Sequence, residues 1–196
     1  MKNEKHDAEK SNPQKLKSEK SAADRKRSVS GRWVAQMGLY VAVALICSYI
    51  ETLIPIQFGV PGIKLGLANL VVLLVLYTMN AKDAFLVSVL RILLAGFMFG
   101  NPFSILYSLS GGFLSFLVMW LLKRSGKLHC ISVSVAGGIS HNVGQLLVAA
   151  VMVHNFHIFF YIPILLIAGL ITGFLIGILA QELLIRLSVC FNKKNE

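Results

Sequence analysis

Ile158-Phe-Phe-Tyr-Ile-Pro-Ile-Leu-Leu-Ile-Ala-Gly-Leu-Ile-Thr-Gly-Phe-Leu-Ile-Gly-Ile-Leu-Ala180 carries no charged side chain in 23 residues. As a helix it is about 35 Å long, enough to cross the roughly 30 Å hydrocarbon core of a bilayer. A helix on the surface of a soluble domain keeps a polar face, and this stretch has none. Its reading is a transmembrane helix.

Working outward from it, five further apolar segments precede it: 33–50, 65–79, 84–99, 103–122 and 130–153. The second and third fall short of the roughly 20 residues that a perpendicular span needs. Either they extend into their flanking loops or one is re-entrant. The expected fold is all-α: a six-transmembrane-helix bundle over 33–187, a disordered basic tail over 1–32 and a short tail over 188–196.

Charge supports this division. The chain is 56% hydrophobic and only 14% charged, where soluble domains carry about a quarter charged. Residues 1–32 hold ten Lys/Arg and five Asp/Glu, while 33–192 hold ten charged residues in all. A soluble domain and chain-wide disorder are both excluded. The tail reads as solvated, with Arg25-Lys26-Arg27 and Arg32 anchoring the first span against anionic headgroups. It is not read as a nucleic-acid arm. Lys82, the basic 123–127 connection and Lys193-Lys194 fall on the same side as the tail. The opposite loops, 51–64, 100–102 and 154–157, hold Lys64 alone. Positive charge collects inside, so both termini are expected in the cytoplasm and the protein in the plasma membrane.

Several chemistries are missing from the sequence. There is no Walker A motif. The aspartates are Asp7, Asp24 and Asp83, so no acidic cluster can hold magnesium against a diphosphate. The chain is therefore not expected to be an enzyme. Cys47, Cys130 and Cys190 match no metal or redox spacing. His154 and His157 lack a third ligand, and no haem, flavin or iron–sulfur pattern is present. No metal or cofactor is expected.

The polar groups inside the spans are few and costly to bury in lipid, so they mark an interior. Arg91 lies midway along the third segment without a local acidic partner. Glu51 and Lys64 sit at the outer ends of the first and second. A Glu51–Arg91 or Glu51–Lys64 pair is one solution, and a ligand is the other. Ser140-His141-Asn142 with Gln145 is the densest polar cluster, and His141 and Gln145 share a helical face. It forms either an interhelical network or part of a ligand pocket. Small residues recur at intervals of four: Gly38 and Ala42; Ser104 and Ser108, continuing to Gly111 and Ser115; Ser134 and Gly138; and Gly169, Gly173 and Gly177. The last set reads as internal helix packing. The first reads as packing or as a docking face.

Five stretches together carry a family resemblance. They are Pro61-Gly-Ile-Lys-Leu-Gly-Leu-Ala-Asn69, the run from Leu90-Arg91 to Phe99-Gly100, Ser108-Leu-Ser-Gly-Gly112, Ser134-Val-Ala-Gly-Gly-Ile-Ser-His-Asn142 with Gly144-Gln145, and Gly169-Leu-Ile-Thr-Gly173. Over 33–187 the chain resembles the Gx transporter family, also catalogued as heptaprenyl diphosphate synthase component I. The transporter name implies kinship with the substrate-binding S components of energy-coupling-factor transporters. Those are six-helix proteins that bind a vitamin-like solute at the outer side and dock on a membrane coupling protein with two ATPases. Gly38 and Ala42 resemble their docking face. The synthase name implies instead a non-catalytic partner of a soluble polyprenyl diphosphate synthase, in isoprenoid or quinone metabolism. The family is also associated with quinone-linked electron export.

The expected mechanism is capture of a small solute from the outer side under a lid formed by the 57–64 loop. Lys64 and Arg91 attract an anionic or carbonyl group. Asn69, His141, Asn142 and Gln145 fix it by hydrogen bonds. A partner ATPase drives release. The competing expectations are a membrane scaffold with a greasy ligand and an autonomous secondary transporter. The scarcity of intramembrane carboxylates disfavours the last.

Overall fold

A computed structural model describes residues 13–53, 66–153 and 156–192. It is helical throughout these segments: α1 (Pro13–Leu53), α2 (Leu67–Thr78), α3 (Ala81–Phe99), α4 (Pro102–Ser125), α5 (Cys130–Val153), a 3-10 turn (Phe156–Tyr161) and α6 (Ile162–Asn192). The chain divides into two compact units, Met1–Leu39 and Tyr40–Glu196. Pocket, seam and ties described below all belong to the second.

The basic stretch read as unstructured is helical from Pro13. Pro13 occupies the first helical position, where its missing N–H costs nothing. The residues that follow are mostly Lys, Gln, Glu, Ala and Arg, all good helix formers, with no glycine before Gly31. Length and composition make four segments able to cross a membrane: Ser30–Leu53, Pro102–Ser125, Cys130–Met152 and Phe159–Leu187. The two remaining helices fall short for different reasons. α3 is long enough at 19 residues but carries Lys82, Asp83 and Arg91. α2 has only 12 residues, about 18 Å.

Burial is distributed as lipid requires. Large apolar side chains stand outside, with Phe97 and Phe160 each 79% exposed. Arg91, Ser88, Ser115, Ser134 and Gln145 are buried. In water this arrangement would be costly; in a bilayer it keeps the polar groups away from hydrocarbon. α2 is the central element: Val71 through Leu76 are buried all round, as expected of a helix enclosed by others.

The ends of the helices are satisfied locally. Asn101 accepts a hydrogen bond from the Ser104 N–H at 2.8 Å and opens α4 ahead of Pro102. Gly126, in the left-handed conformation at φ 67°, closes α4. Asp83 accepts from the backbone N–H of Asn80 at the start of α3. At the end of α2 the ammonium of Lys123 donates to the Leu76 carbonyl and lies over the Tyr77 ring, 5.0 Å from its centroid. A cation at a helix C-terminus is favoured by the macrodipole. Tyr40 and Thr78 join α1 to α2 by a hydroxyl–hydroxyl bond at 3.3 Å.

α4, α5 and α6 pack through glycine. A Cβ on Gly138 would come within 2.5 Å of the Gly169 carbonyl oxygen, and one on Gly173 within 2.8 Å of the Val135 Cα. Gly177 faces the Ile131 Cα just as closely. The α6 stripe is thus an internal seam, as small-residue packing in lipid predicts. Gly38, in the first unit, differs: among the described residues nothing lies within 4 Å of the position its Cβ would take.

Candidate functional site

Gly66 starts the site. It adopts the left-handed conformation at φ 79°, which glycine alone enters without strain, and turns the chain into α2. The N–H of Leu67, an orphan donor in the first turn of α2, is taken by the Glu51 carboxylate at 2.6 Å. Glu51 therefore ties the end of α1 to the start of α2, and its charge sits at the positive end of a helix dipole.

Beside this tie lies a cavity of about 180 Å³, walled by α1, α2, α3, α4 and α5. Glu51, Asn69, Arg91, Ser104, Ser108 and His141 supply its polar lining, together with Ser48 and Thr52. Ile92, Ala95 and Phe99 supply apolar wall. Of the five walls, α1 to α4 meet the cavity at or towards the ends away from the basic connections at Lys82 and 123–127, and α5 meets it at mid-helix. The volume equals that of about six waters. It suits a small solute or a polar head group, and is below the roughly 300 Å³ of a drug-sized pocket.

Arg91 dominates the chemistry. It is only 9% exposed. One terminal nitrogen donates to the Asn69 side-chain oxygen at 3.0 Å. Its Nε has no hydrogen-bond partner among the described residues. A guanidinium has five N–H donors in a planar fork that matches carboxylate or phosphate. Buried with donors to spare, it attracts an anion or a carbonyl oxygen.

The residues singled out in the sequence separate here. Asn69, Arg91 and His141 come together at the cavity. Lys64 and the 57–64 loop lie outside the described residues, as does His154. Asn142 turns to α6, donating to the Leu165 carbonyl at 2.8 Å. Gln145 is 1% exposed and packs against Gly111 of α4. Ser140 bonds back to the Ala136 carbonyl of its own helix at 2.5 Å. The dense polar cluster of α5 is thus divided: His141 lines the cavity and Asn142 bridges to α6. Ser104 and Ser108 join the cavity through the α4 stripe of small residues, which was the sequence signal for them. Among the described residues, no group of His, Cys, Asp and Glu could hold a metal ion.

A second, apolar hollow of about 580 Å³ opens between α3, α4 and α5, lined by Phe85, Val89, Leu106, Phe113, Val151 and Met152 among others. Ile92 lines both spaces and stands between them.

A family model described as heptaprenyl diphosphate synthase component I matches residues 40–183, well over half of the chain. The chain belongs to that family. Component I is the non-catalytic part of such a synthase, in agreement with the expectation that this chain is not itself an enzyme. No curated protein and no solved structure gives a match.

Proposed function

We propose that this member of the heptaprenyl diphosphate synthase component I family is the substrate-binding subunit of a membrane transporter. The reading has all six helices of 33–187 in the plasma membrane, with tails 1–32 and 188–196 in the cytoplasm. A small anionic or carbonyl-bearing solute enters the outer cavity. Arg91 holds its charge, and Asn69 and His141 orient it. Lys64, from the loop between α1 and α2, adds a second cation. Asn142 and Gln145 support the site by bracing α5 against α6 and α4. A coupling protein with ATPases drives release, since the chain carries no nucleotide-binding motif of its own.

One observation carries this reading: a buried arginine with an unpartnered Nε beside a polar cavity. An arginine used only for structure has its donors satisfied by carbonyls or carboxylates. The test is purification of the tagged protein from its own membrane in mild detergent, with mass spectrometry of whatever stays bound. A metabolite lost in Arg91→Ala and in His141→Ala, with ATPases among the retained proteins, supports the reading. Retention of the metabolite in both folded variants overturns it.

The family match favours a second reading, a membrane anchor for a soluble polyprenyl diphosphate synthase. In that case the apolar hollow beside Ile92 takes the greasy chain that the polar cavity is too small to hold. A polyprenyl synthase recovered without ATPases selects it.

A further inference from the structure

Between α2, α4, α5 and α6 there is a second polar void, of about 20 Å³. Its polar walls are Asn69, Ser115, Ser134 and Thr172. Ser115 is 1% exposed, and its hydroxyl has no hydrogen-bond partner among the described residues. A hydroxyl buried in this way needs a partner, and a void of this size admits one water. Thr172 donates to the Ala168 carbonyl at 2.9 Å, which leaves its oxygen free to accept. Asn69 accepts from Arg91 through Oδ1, which leaves its amide N–H groups to donate. Among the described residues no carboxylate lines the void. Mixed donors and acceptors without net charge suit a water rather than a cation.

Gly66 and Asn69 line this void and the outer cavity alike. The two spaces therefore meet at Asn69, the residue that Arg91 holds.

We propose that the void is a water site held by Ser115, Ser134 and Thr172, that it extends the outer cavity towards the centre of the bundle, and that Asn69 is the gate between them. The latch is the Arg91–Asn69 hydrogen bond.

Silver ions are narrow enough to follow a single file of water, and they cap thiols by displacing the S–H proton. The test uses the full chain in sealed vesicles, with Cys47, Cys130 and Cys190 replaced by alanine. Silver is added from the outside. Capped thiols then escape alkylation by a maleimide after unfolding, which mass spectrometry reads. Ser115→Cys is expected to become protected. Val87→Cys, equally buried but lining neither space, is expected not to. Adding Asn69→Ala should speed protection of Ser115→Cys about tenfold or more. Asn69→Ser serves as the alternative where the alanine variant does not fold. Protection of Ser115→Cys no faster than Val87→Cys overturns the water site. An unchanged rate in the folded Asn69 variant overturns the gate. The experiment reads access alone, so it can fail or succeed independently of the transporter reading.

Discussion

The α4–α5–α6 seam and the outer cavity use the same sequence device with opposite results. Both are built from small residues one turn apart. In the seam Gly138 meets Gly169 and Gly173, and backbone touches backbone. At the cavity Ser104 and Ser108 of α4 face α3 across open space that Arg91 enters. A small residue brings helices together where it meets backbone or an apolar side chain, as Gly173 meets Val135 and Gly112 meets Ile92. Opposite a long side chain with a polar head it leaves room instead. A stripe of small residues therefore identifies a face, and its partner decides whether that face is glue or vestibule.

The contrast is broken most severely at the seam. Gly173→Leu puts a side chain against the Val135 backbone, which cannot turn aside. It should cost more than about 3 kcal/mol, read as a large fall in the thermal midpoint in detergent. An unchanged midpoint would mean that the seam yields. Arg91→Ala should act on the other region. Loss of its charge-assisted bonds should weaken retention of a bound anion by about 100-fold, with a far smaller fall in midpoint than Gly173→Leu. Equal losses of stability in the two variants would erase the distinction between glue and vestibule. Lys123→Met removes the cation from the end of α2 and from the Tyr77 ring. That should cost about 1–2 kcal/mol, measurable as a modest shift in the same melt. Smallest of all is Gly38→Leu, whose side chain enters open space. Stability should change by less than about 1 kcal/mol, while co-purification of a docking partner should fall. If the partner is retained at wild-type levels, Gly38 is not part of a docking face.

Much of this was legible from residues alone. The apolar runs located every helix core, and the brevity of the second run reappears in the 12 residues of α2. Gly169, Gly173 and Gly177 were readable as a seam because glycine at that spacing has few other uses in lipid. Asn69 and Arg91 were both candidates, but their bond was not foreseeable. They lie 22 residues apart on different helices, and charge alone offers Glu51 or a ligand to Arg91 and says nothing of an amide. Glu51 also takes the first N–H of α2, a partner that no pattern of side chains reveals. The α5 cluster shows the same limit. Helical spacing put His141 and Gln145 on one face correctly, but what each meets depends on α4. There Gly111 crowds Gln145, and the opening beside Ser108 exposes His141.

The shortness of α2 has an electrical consequence. At about 18 Å it is roughly 12 Å less than the hydrocarbon thickness, and the outer cavity stands over its first turn. Where water and polar side chains replace hydrocarbon, the membrane voltage falls across the thinner layer that remains. On the proposed orientation an anion reaching Arg91 through the cavity has crossed little of that voltage, and most of it falls between Arg91 and the inner face. Capture of an anionic solute should then change little with membrane potential, while the same voltage, about 2.3 kcal/mol per charge for a full 100 mV crossing, opposes its onward movement into a negative interior, so the energised membrane holds the solute at the site until release is driven.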